Sequence, residues 1–327
     1  MLELHLKSPN ELELRLVDSL PFPQGDEVKI KLLYAGICGS DLGVYRGKLA
    51  HATYPLRPGH ELLGTVIEAG EQATFPLGTR VVILPNTFCG ECEYCQAGKT
   101  NICPEKKSMG VNQDGGFSEE FIISSKFVFA IPDGLTDKRA VLIEPFAVVV
   151  HALKNVAINK GTRVAIVGSG NEGMLAAALS YHLGAQVTAI DINPNKLELV
   201  RSLGGDIRAV YPQEVEGESF EVVIEAAGTK QSVEQAFHLA GRGGAVVLIG
   251  LTAEAALPVT QIVRNEVTIY GSIIYNFPED YQKTVDYLSN PAFNIEPIIS
   301  RVLPLSDYQE AYNTALSGDY GKVIFKF

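Results

Sequence analysis

The feature that most restricts the fold of this chain is a regular alternation of apolar runs and helical patterns between residues 163 and 272. The runs RVAIVG, QVTAID, FEVVIEAAG and AVVLIG are rich in Val and Ile. Strands of this composition are typical of a parallel sheet covered on both faces. The intervening segments 174–183, 196–203 and 232–240 are predicted helices, which connect parallel neighbours. The sequence therefore predicts a doubly wound α/β domain.

The loop GSGNEG, residues 168–173, follows the first of these strands and opens the first helix. Gly168 is expected to form the tight turn, Gly170 to admit a pyrophosphate, and Gly173 to let helix and sheet pack closely. The helix N-terminus then faces the phosphates. Asp191 ends the next strand, where it can accept hydrogen bonds from ribose hydroxyls and repel a 2′-phosphate. This arrangement predicts NAD rather than NADP, and an incidental glycine turn is the alternative.

One residue of the loop fits poorly, because Glu172 places a negative charge beside the expected pyrophosphate. An acid in the first turn of a helix is otherwise favourable, so the side chain is compatible with the site if it points away. The predicted cofactor-binding residues are Gly168, Ser169, Gly170, Asn171, Glu172, Gly173, Asp191, Ile192, Gly228, Gly250 and Ser272.

Four of the five cysteines lie within fifteen residues, as Cys89-x2-Cys92-x2-Cys95-x7-Cys103. An odd number of clustered cysteines in a long chain without an export signal argues against a disulfide framework. Four thiolates can enclose Zn2+ in a tetrahedron that leaves no position open for water, which predicts a structural site. An iron–sulfur cluster and four incidental free thiols are the alternatives.

A second set of metal-ligand residue types is dispersed along the chain. Cys38 lies in GICGSD, His60 and Glu61 lie in PGHE, and Glu144 precedes a proline. Cys, His and Glu can bind a catalytic zinc that keeps one position for water or substrate. Each residue also has a structural interpretation, as a small buried thiol, a structural histidine or a helix-capping acid. Spacing alone leaves the choice open.

The first 140 residues are rich in short strand patterns. Leu2, Leu4 and Leu6 alternate with polar residues, and a second alternating run follows a turn at Pro9 and Asn10, which indicates a hairpin. Further strands are expected at 27–37, 62–69 and 80–84. This pattern suits a barrel-like domain.

Charge and hydropathy exclude several classes of protein. The chain has 27 Lys and Arg against 38 Asp and Glu, a formal net charge of −11. An acidic chain without a local basic patch argues against nucleic-acid binding. No segment reaches the roughly 18 apolar residues that a membrane helix needs, and the N-terminus lacks the pattern of a signal peptide. We therefore expect a cytoplasmic protein without membrane or nucleic-acid partners.

The motifs GICGSD, PGHE, the four-cysteine lobe, IEPFAVVVHA and GSGNEG occur together in the order of the zinc-dependent medium-chain dehydrogenases. The chain resembles this family over essentially its whole length, and Glu-Pro in IEPFAVVVHA resembles the polyol branch with sorbitol and threonine dehydrogenases. The resemblance implies a GroES-like β-barrel catalytic domain at 1–145 and 276–327, with a structural zinc lobe at 86–106. It also implies a Rossmann domain at 146–275, two zinc ions per chain, NAD, and a homodimer or homotetramer.

The resemblance also implies roles for single residues. Cys38 and His60 correspond to catalytic-zinc ligands, and Glu61 and Glu144 are unranked candidates for the remaining ligand. Ser40 corresponds to the hydroxyl that begins a proton relay. Many relatives carry the outer relay histidine where this chain has Gly43, so water, the cofactor ribose or another group such as His51 would complete the relay.

The implied activity is hydride transfer from a polyol or other secondary alcohol to NAD. Oxidation of threonine-type amino alcohols, polyol phosphates or simple alcohols is an alternative within the family. Arg46, Lys48 and Arg57 lie near the metal motifs and are candidates to hold an anionic substrate group, or are solvated surface charges. A non-catalytic NAD-binding protein is the alternative from a different class.

Overall fold

The computed structural model describes all 327 residues, Met1–Phe327. The chain forms two compact units. The first contains Met1–Glu144, Ile299–Ser317 and Lys322–Phe327, and the second contains Pro145–Ile298 and Gly318–Gly321.

In chain order, the helices and strands fall into three stretches. The first stretch contains β1 (Leu2–Ser8), β2 (Glu11–Leu16), β3 (Glu27–Ile37), α1 (Gly39–Tyr45), β4 (Glu61–Ala69), β5 (Arg80–Ile83), β6 (Asn86–Thr87), α2 (Glu93–Gln96), β7 (Lys107–Ser108), β8 (Glu120–Ser124), β9 (Val128–Ala130) and α3 (Asp137–Ala140). The second contains α4 (Ile143–Leu153), β10 (Arg163–Val167), α5 (Asn171–His182), β11 (Gln186–Ile190), α6 (Pro194–Arg201), β12 (Arg208–Val210), β13 (Phe220–Glu225), α7 (Lys230–Leu239), β14 (Ala240–Leu248), α8 (Val259–Arg264), β15 (Thr268–Gly271) and α9 (Glu279–Leu288). The third contains β16 (Ile299–Pro304), α10 (Tyr308–Ser317) and β17 (Lys322–Lys326).

The second unit is built on a six-stranded parallel sheet in the order β12-β11-β10-β13-β14-β15. This order places the first strand of the unit, β10, beside β13, with later strands added outward on both sides. The strand order therefore reverses between β10 and β13, and doubly wound sheets bind nucleotides at such a point, outside the carboxyl ends of the strands. The predicted doubly wound α/β domain is confirmed.

The first unit contains a seven-stranded sheet in the order β16-β17-β3-β4-β5-β9, with β8 paired to β3. Its core includes Phe117, Phe121 and Phe325, all 0–1% exposed. The predicted hairpin is present as the antiparallel pair β1 and β2, and Asn10 takes the positive φ of 66° that its turn requires. The central strand β3 pairs with β17, β4 and β8, so it brings distant parts of the chain into register.

The segment 276–298 belongs to the second unit, whereas the resemblance to the medium-chain dehydrogenases implied that it belongs to the catalytic domain. Two contacts between α4 and this segment account for the difference. His151 Nδ1 lies 2.6 Å from Asp280 Oδ2, and both side chains are buried. The ring of Phe146 stacks on that of Phe293, with centroids 5.2 Å apart. Burial of these groups against α4 holds α9 on the second unit.

The helices of the structure are all too short or too polar to cross a membrane.

Candidate metal and cofactor sites

The four clustered cysteines converge on one point in the first unit. The Sγ atoms of Cys89 and Cys103 lie 3.6 Å apart, those of Cys89 and Cys95 3.9 Å, and those of Cys92 and Cys103 4.0 Å. A tetrahedral zinc with Zn–S bonds of about 2.3 Å requires sulfur atoms about 3.8 Å apart. The spacing of the four thiols therefore fits zinc.

Backbone N–H groups donate hydrogen bonds to one of the four sulfur atoms and stabilise its thiolate form. Glu91 N and Cys92 N lie 3.4 and 3.3 Å from Cys89 Sγ. Their hydrogen bonds lower the pKa of Cys89 to about 6. Desolvation, together with hydrogen bonds to the neighbouring thiols, raises the pKa of Cys95 to about 12. These contacts thus favour the thiolate of Cys89 and oppose that of Cys95, and a bound cation would offset the second effect.

A second cluster contains Cys38, His60 and Glu61, whose ligand atoms all lie within 4.8 Å of one another. Cys38 directly follows β3, and Glu61 begins β4. The two strands are antiparallel neighbours in which Gly36 pairs with Glu61, so the sheet register brings these two chain segments together. The structure thus gathers three of the four residue positions that the sequence offered for a catalytic zinc.

The carboxyl group of Asp41 joins the two turns that carry this cluster. It is 1% exposed and accepts hydrogen bonds from Cys38 N at 2.9 Å and Gly59 N at 3.1 Å. Its Oδ1 also lies 3.2 Å from His60 Nδ1. Sequence reasoning assigned no role to Asp41, although an acid three residues after a helix N-cap is the signal of a capping box.

The same carboxyl group controls the charge of the histidine. Burial lowers the pKa of His60, but the charge and hydrogen bond of Asp41, with those of Cys38, raise it well above its usual value. The Asp41 carboxylate therefore favours a positive charge at His60, whether a proton or a bound metal ion supplies it.

The hydroxyl group of Ser40 lies beside the cluster, with Oγ 3.2 Å from His60 Nε2. Two positions concern the outer group of the proton relay, Gly43 and His51. A side chain at Gly43 would begin 3.3 Å from Leu49 Cγ, so the position is backed by an apolar group. His51 is exposed.

Glu61 forms a buried ion pair that the sequence did not reveal. Its Oε1 lies 2.5 Å from Lys322 Nζ, and both residues are 0% exposed. The strand order β17-β3-β4 places Gly36 between them, and a Cβ at Gly36 would lie 2.0 Å from Glu61 Oε2. The absent side chain of Gly36 is therefore what lets Glu61 reach Lys322. The second oxygen, Oε2, is buried without a hydrogen-bond partner.

Glu144, the fourth candidate ligand, lies in the first turn of α4 and is 6% exposed. A buried carboxylate of this kind needs compensating charge or hydrogen bonds.

The glycine-rich loop of the second unit has the geometry of a phosphate-binding turn. Gly168 has a φ of 96°, and a Cβ at Gly173 would lie 1.8 Å from Gly168 O. A Cβ at Gly170 would meet open space. Ser169 is fully buried with its Oγ unpartnered, while Asn171 and Glu172 begin α5 half-buried. The tight turn, the open face and the close helix approach are the features that a phosphate-binding turn requires.

Asp191 ties this loop to the end of β11. Its Oδ2 accepts a hydrogen bond from Ser169 N at 2.6 Å, and its Oδ1 accepts one from Asn193 N at 2.8 Å. The neighbouring Ile192 is 81% exposed. Two backbone donors therefore hold the carboxylate at the carboxyl edge of the sheet.

A cavity of about 890 Å3 opens beside this carboxylate. Its charged lining consists of Asp191, Glu216 and Glu234, with neither Lys nor Arg. Gly168 lines it too, whereas Gly228 and Gly250, which follow β13 and β14, do not. Ser272 follows β15 and donates its backbone N–H to Leu248 O at 3.0 Å.

One of the three candidate cations for an anionic substrate is already paired. Arg57 Nη1 lies 2.7 Å from Glu3 Oε2, and its Nε donates to Gly115 O. Arg46 and Lys48 are exposed. Arg57 therefore stabilises the first unit rather than facing an open site.

Residues 24–133 match the model of the alcohol dehydrogenase GroES-like domain, and residues 173–290 match that of the zinc-binding dehydrogenases. Sorbitol dehydrogenase from Bacillus subtilis is 32% identical over 319 residues, which cover 92% of this chain and 90% of that protein. L-threonine 3-dehydrogenase from Coxiella burnetii is 31% identical over 322 residues, 94% of each chain.

Among solved structures, one from Escherichia coli is described as a short chain alcohol dehydrogenase complexed with cofactor NADH. It superposes with a TM-score of 0.91 at 27% identity, covering 100% of this chain and 99% of that one. The predicted combination of a GroES-like domain and a Rossmann domain is confirmed. The chain belongs to the zinc-dependent medium-chain dehydrogenases, in the branch that contains the sorbitol and threonine dehydrogenases.

Proposed function

We propose that this dehydrogenase transfers a hydride from a polyol or other secondary alcohol to NAD. The observation that carries the proposal is the cluster of Cys38, His60 and Glu61 within 4.8 Å, in which the buried Glu61 Oε2 has no hydrogen-bond partner. These residues would hold the catalytic zinc, and the four-cysteine lobe would hold a structural zinc. Bound zinc would polarise an alcohol oxygen, and bound nicotinamide would accept the hydride.

Two neighbours of the cluster orient its ligands. The contact between Asp41 and His60 Nδ1 leaves Nε2 as the ligand atom, as in other metal sites where a carboxylate supports a histidine. Lys322 occupies Glu61 Oε1 and leaves Oε2 for the metal. We therefore propose Glu61 as the resting ligand and Glu144 as the carboxylate that acts during turnover.

Ser40 is the proposed first acceptor of the substrate proton. Its Oγ lies 3.2 Å from His60 Nε2, so the hydroxyl group is adjacent to the metal position. Because Gly43 carries no side chain, we propose that the proton leaves through water or the cofactor ribose.

The charges around the nucleotide cavity support NAD over NADP. Asp191, Glu216 and Glu234 line it without a Lys or Arg. A ribose 2′-hydroxyl can donate to a carboxylate, whereas a 2′-phosphate needs a cation at the same position. Asp191 is the proposed ribose acceptor because Ser169 N and Asn193 N already hold its carboxylate in place.

Of the three cations near the metal motifs, one is unavailable to a phosphorylated substrate, while Arg46 and Lys48 are exposed. Arg57 is paired with Glu3, so it is not available to hold an anionic group. A zinc with a carboxylate ligand has a harder, more oxygen-rich coordination shell than one with two thiolates. We therefore propose that vicinal diols or polyols are oxidised at a secondary carbon in preference to simple primary alcohols.

The proposal is tested by metal analysis and a substrate panel. We expect two zinc ions per chain, and faster NAD reduction with pentitols than with polyol phosphates, threonine or 1-propanol. Preference for 1-propanol would contradict the polyol assignment.

Variants of the two glutamates test the metal site. Glu61→Ala and Glu144→Ala are each expected to lower kcat while NADH binding stays unchanged, because neither residue is placed at the cofactor. Glu68→Ala is the control, since Glu68 also lies on β4 but is itself 36% exposed and pairs with Lys29. If both variants keep the kcat of the parent protein, the assignment of the glutamates is wrong.

We also propose a cytoplasmic homo-oligomer, either a dimer or a tetramer. Strand β15 forms one edge of the parallel sheet, and Ile269 within it is 40% exposed. An exposed edge with an apolar side chain is suited to pair with a second copy of the chain. Light scattering combined with size-exclusion chromatography measures the mass, and a monomer at micromolar concentration would contradict the proposal.

A further inference from the structure

A buried glutamate lies beneath the nucleotide-binding loops of the second unit. Glu225 ends β13 and is 0% exposed. Its Oε1 accepts hydrogen bonds from Ala227 N at 2.9 Å, Gly228 N at 2.8 Å and Ser232 Oγ at 2.7 Å. Its Oε2 is buried and accepts none. One carboxyl oxygen therefore connects the loop after β13 to the first turn of α7.

Three chain segments at the predicted cofactor site meet around this group. A Cβ at Gly168 would lie 2.6 Å from Ala227 Cβ, and one at Gly228 would lie 2.9 Å from Leu251 N. A Cβ at Gly250 would lie 2.5 Å from Glu225 Oε2. The loop 226–229 thus has little freedom to move between its neighbours while Glu225 holds it, and both Ala227 and Thr229 line the nucleotide cavity.

The direction of these hydrogen bonds decides what the loop can offer to a ligand. The N–H groups of Ala227 and Gly228 point at Glu225. In a trans peptide the carbonyl points opposite to the N–H, so the carbonyls of Ala226 and Ala227 point away from Glu225. Loop 226–229 can therefore offer backbone carbonyl acceptors, which suit ribose hydroxyls. The phosphates would be bound by the backbone N–H donors of the 168–173 loop.

We infer that Glu225 is a positioning residue for the cofactor, which holds loop 226–229 in its binding conformation before NAD arrives. The inference rests on the proposed function, because it takes the cavity to be the dinucleotide site. Glu225 is separated from the ligand by the loop that it holds, so it acts on affinity through that loop. A merely stabilising residue would change unfolding without changing NADH affinity in the folded protein.

The test is NADH affinity, measured by fluorescence titration of the holoenzyme with its zinc content verified. Glu225→Leu removes the acceptor at similar volume, and we expect the NADH Kd to rise at least tenfold, about 1.4 kcal/mol. The kcat at saturating NAD and the zinc content should stay within twofold of the parent protein. Glu225→Gln keeps one acceptor oxygen and should give a smaller increase. Glu221→Gln is the control, because Glu221 lies exposed on the same strand.

A folded Glu225→Leu variant that binds NADH within twofold of the parent protein would overturn the inference. If that variant does not fold, Ser232→Ala decides, since Ser232 Oγ donates to Glu225 and accepts from Thr229 N, and its loss should raise the Kd about threefold. Because Ser232 also lines the cavity, the amides of Ala227 and Gly228 should exchange faster in this variant as well; an unchanged Kd or unchanged exchange would overturn the inference. Hydrogen exchange provides a measurement on the parent protein, where the amides of Ala227 and Gly228 should be protected without added NADH. Rapid exchange of both amides would also overturn it. Failure of the parent protein to bind NADH would instead contradict the proposed function.

Discussion

Replacement of Lys322 by Met tests how the first unit stabilises the buried carboxylate of Glu61, a proposed zinc ligand. Lys322 Nζ and Glu61 Oε1 lie 2.5 Å apart, and both residues are 0% exposed. Methionine keeps most of the lysine stem and removes the charge. The variant therefore leaves Glu61 buried without its cation, while the packing around β17 changes little.

The expected magnitude follows from the burial of the pair. Removing one partner of a buried ion pair costs about 3–5 kcal/mol, because the remaining charge is uncompensated. Replacing both charges by neutral groups of similar size is often close to neutral. We therefore expect Lys322→Met to lower the free energy of unfolding by about 3–5 kcal/mol without zinc. Adding Glu61→Gln should recover most of this loss.

The assay is a double-mutant cycle. The free energy of unfolding of each protein is measured by urea denaturation in the presence of EDTA, with circular dichroism as the signal. The four proteins are the parent, Lys322→Met, Glu61→Gln and the double variant. Excess zinc should reduce the loss in Lys322→Met, since the ion supplies a positive charge next to Glu61. Lys326→Met is the control, because Lys326 is exposed on the same strand. A coupling energy below about 1 kcal/mol, the range of surface pairs, would refute the reasoning.

Three further predictions address the other sites. Cys92→Ser should lower thermal stability and remove one zinc per chain, because closed metal sites contribute folding energy. Cys38→Ser should chiefly abolish alcohol oxidation. Elemental analysis and calorimetry distinguish the effects of the two variants. The parent protein should favour NAD over NADP by more than about 100-fold in kcat/KM, and Asp191→Ala should narrow this ratio, so equal use of both cofactors by the parent would reject the assignment. Burial raises the pKa of Asp280, but its contacts with His151 and the neighbouring backbone outweigh burial and hold the pKa below its usual value. The stability gained from this depressed pKa is present above the unfolded-state pKa of about 3.9 and is lost as pH falls below it. Denaturation of Asp280→Asn across this range should show a weaker pH dependence than the parent, and identical curves would contradict the prediction.

The sequence predicted those parts of the fold that depend on local patterns. The strand predicted at 27–37 is β3, and the helix predicted at 174–183 lies within one to three residues of α5. Alternation and apolar runs depend on neighbours a few residues apart, so they are readable without the tertiary structure. The short helices α1 and α8 were missed because six or seven residues carry too few helical repeats.

Among the candidate sites too, those formed by residues close in sequence were predictable, and those formed by distant residues were not. The four cysteines lie so close in sequence that their chain segment alone predicts a metal site, and the glycine spacing of 168–173 likewise predicts a phosphate turn. The residue types of Cys38 and His60 made them candidate ligands, but the resemblance to a family was needed to choose them, because the 21 residues between them carry no signal of their contact.

What the tertiary structure alone decided are the partners of the buried acids. Lys322 lies 261 residues from Glu61 in sequence, and only the register of β17, β3 and β4 places them on either side of Gly36. In the sequence, nothing distinguishes Glu225 from other residues that end an apolar strand. Only the folded structure shows its three hydrogen-bond donors. A sequence specifies periodicity and short motifs through local sterics and hydrophobic pattern. Strand pairing across the chain determines which buried charge meets which partner, since that choice depends on sheet register.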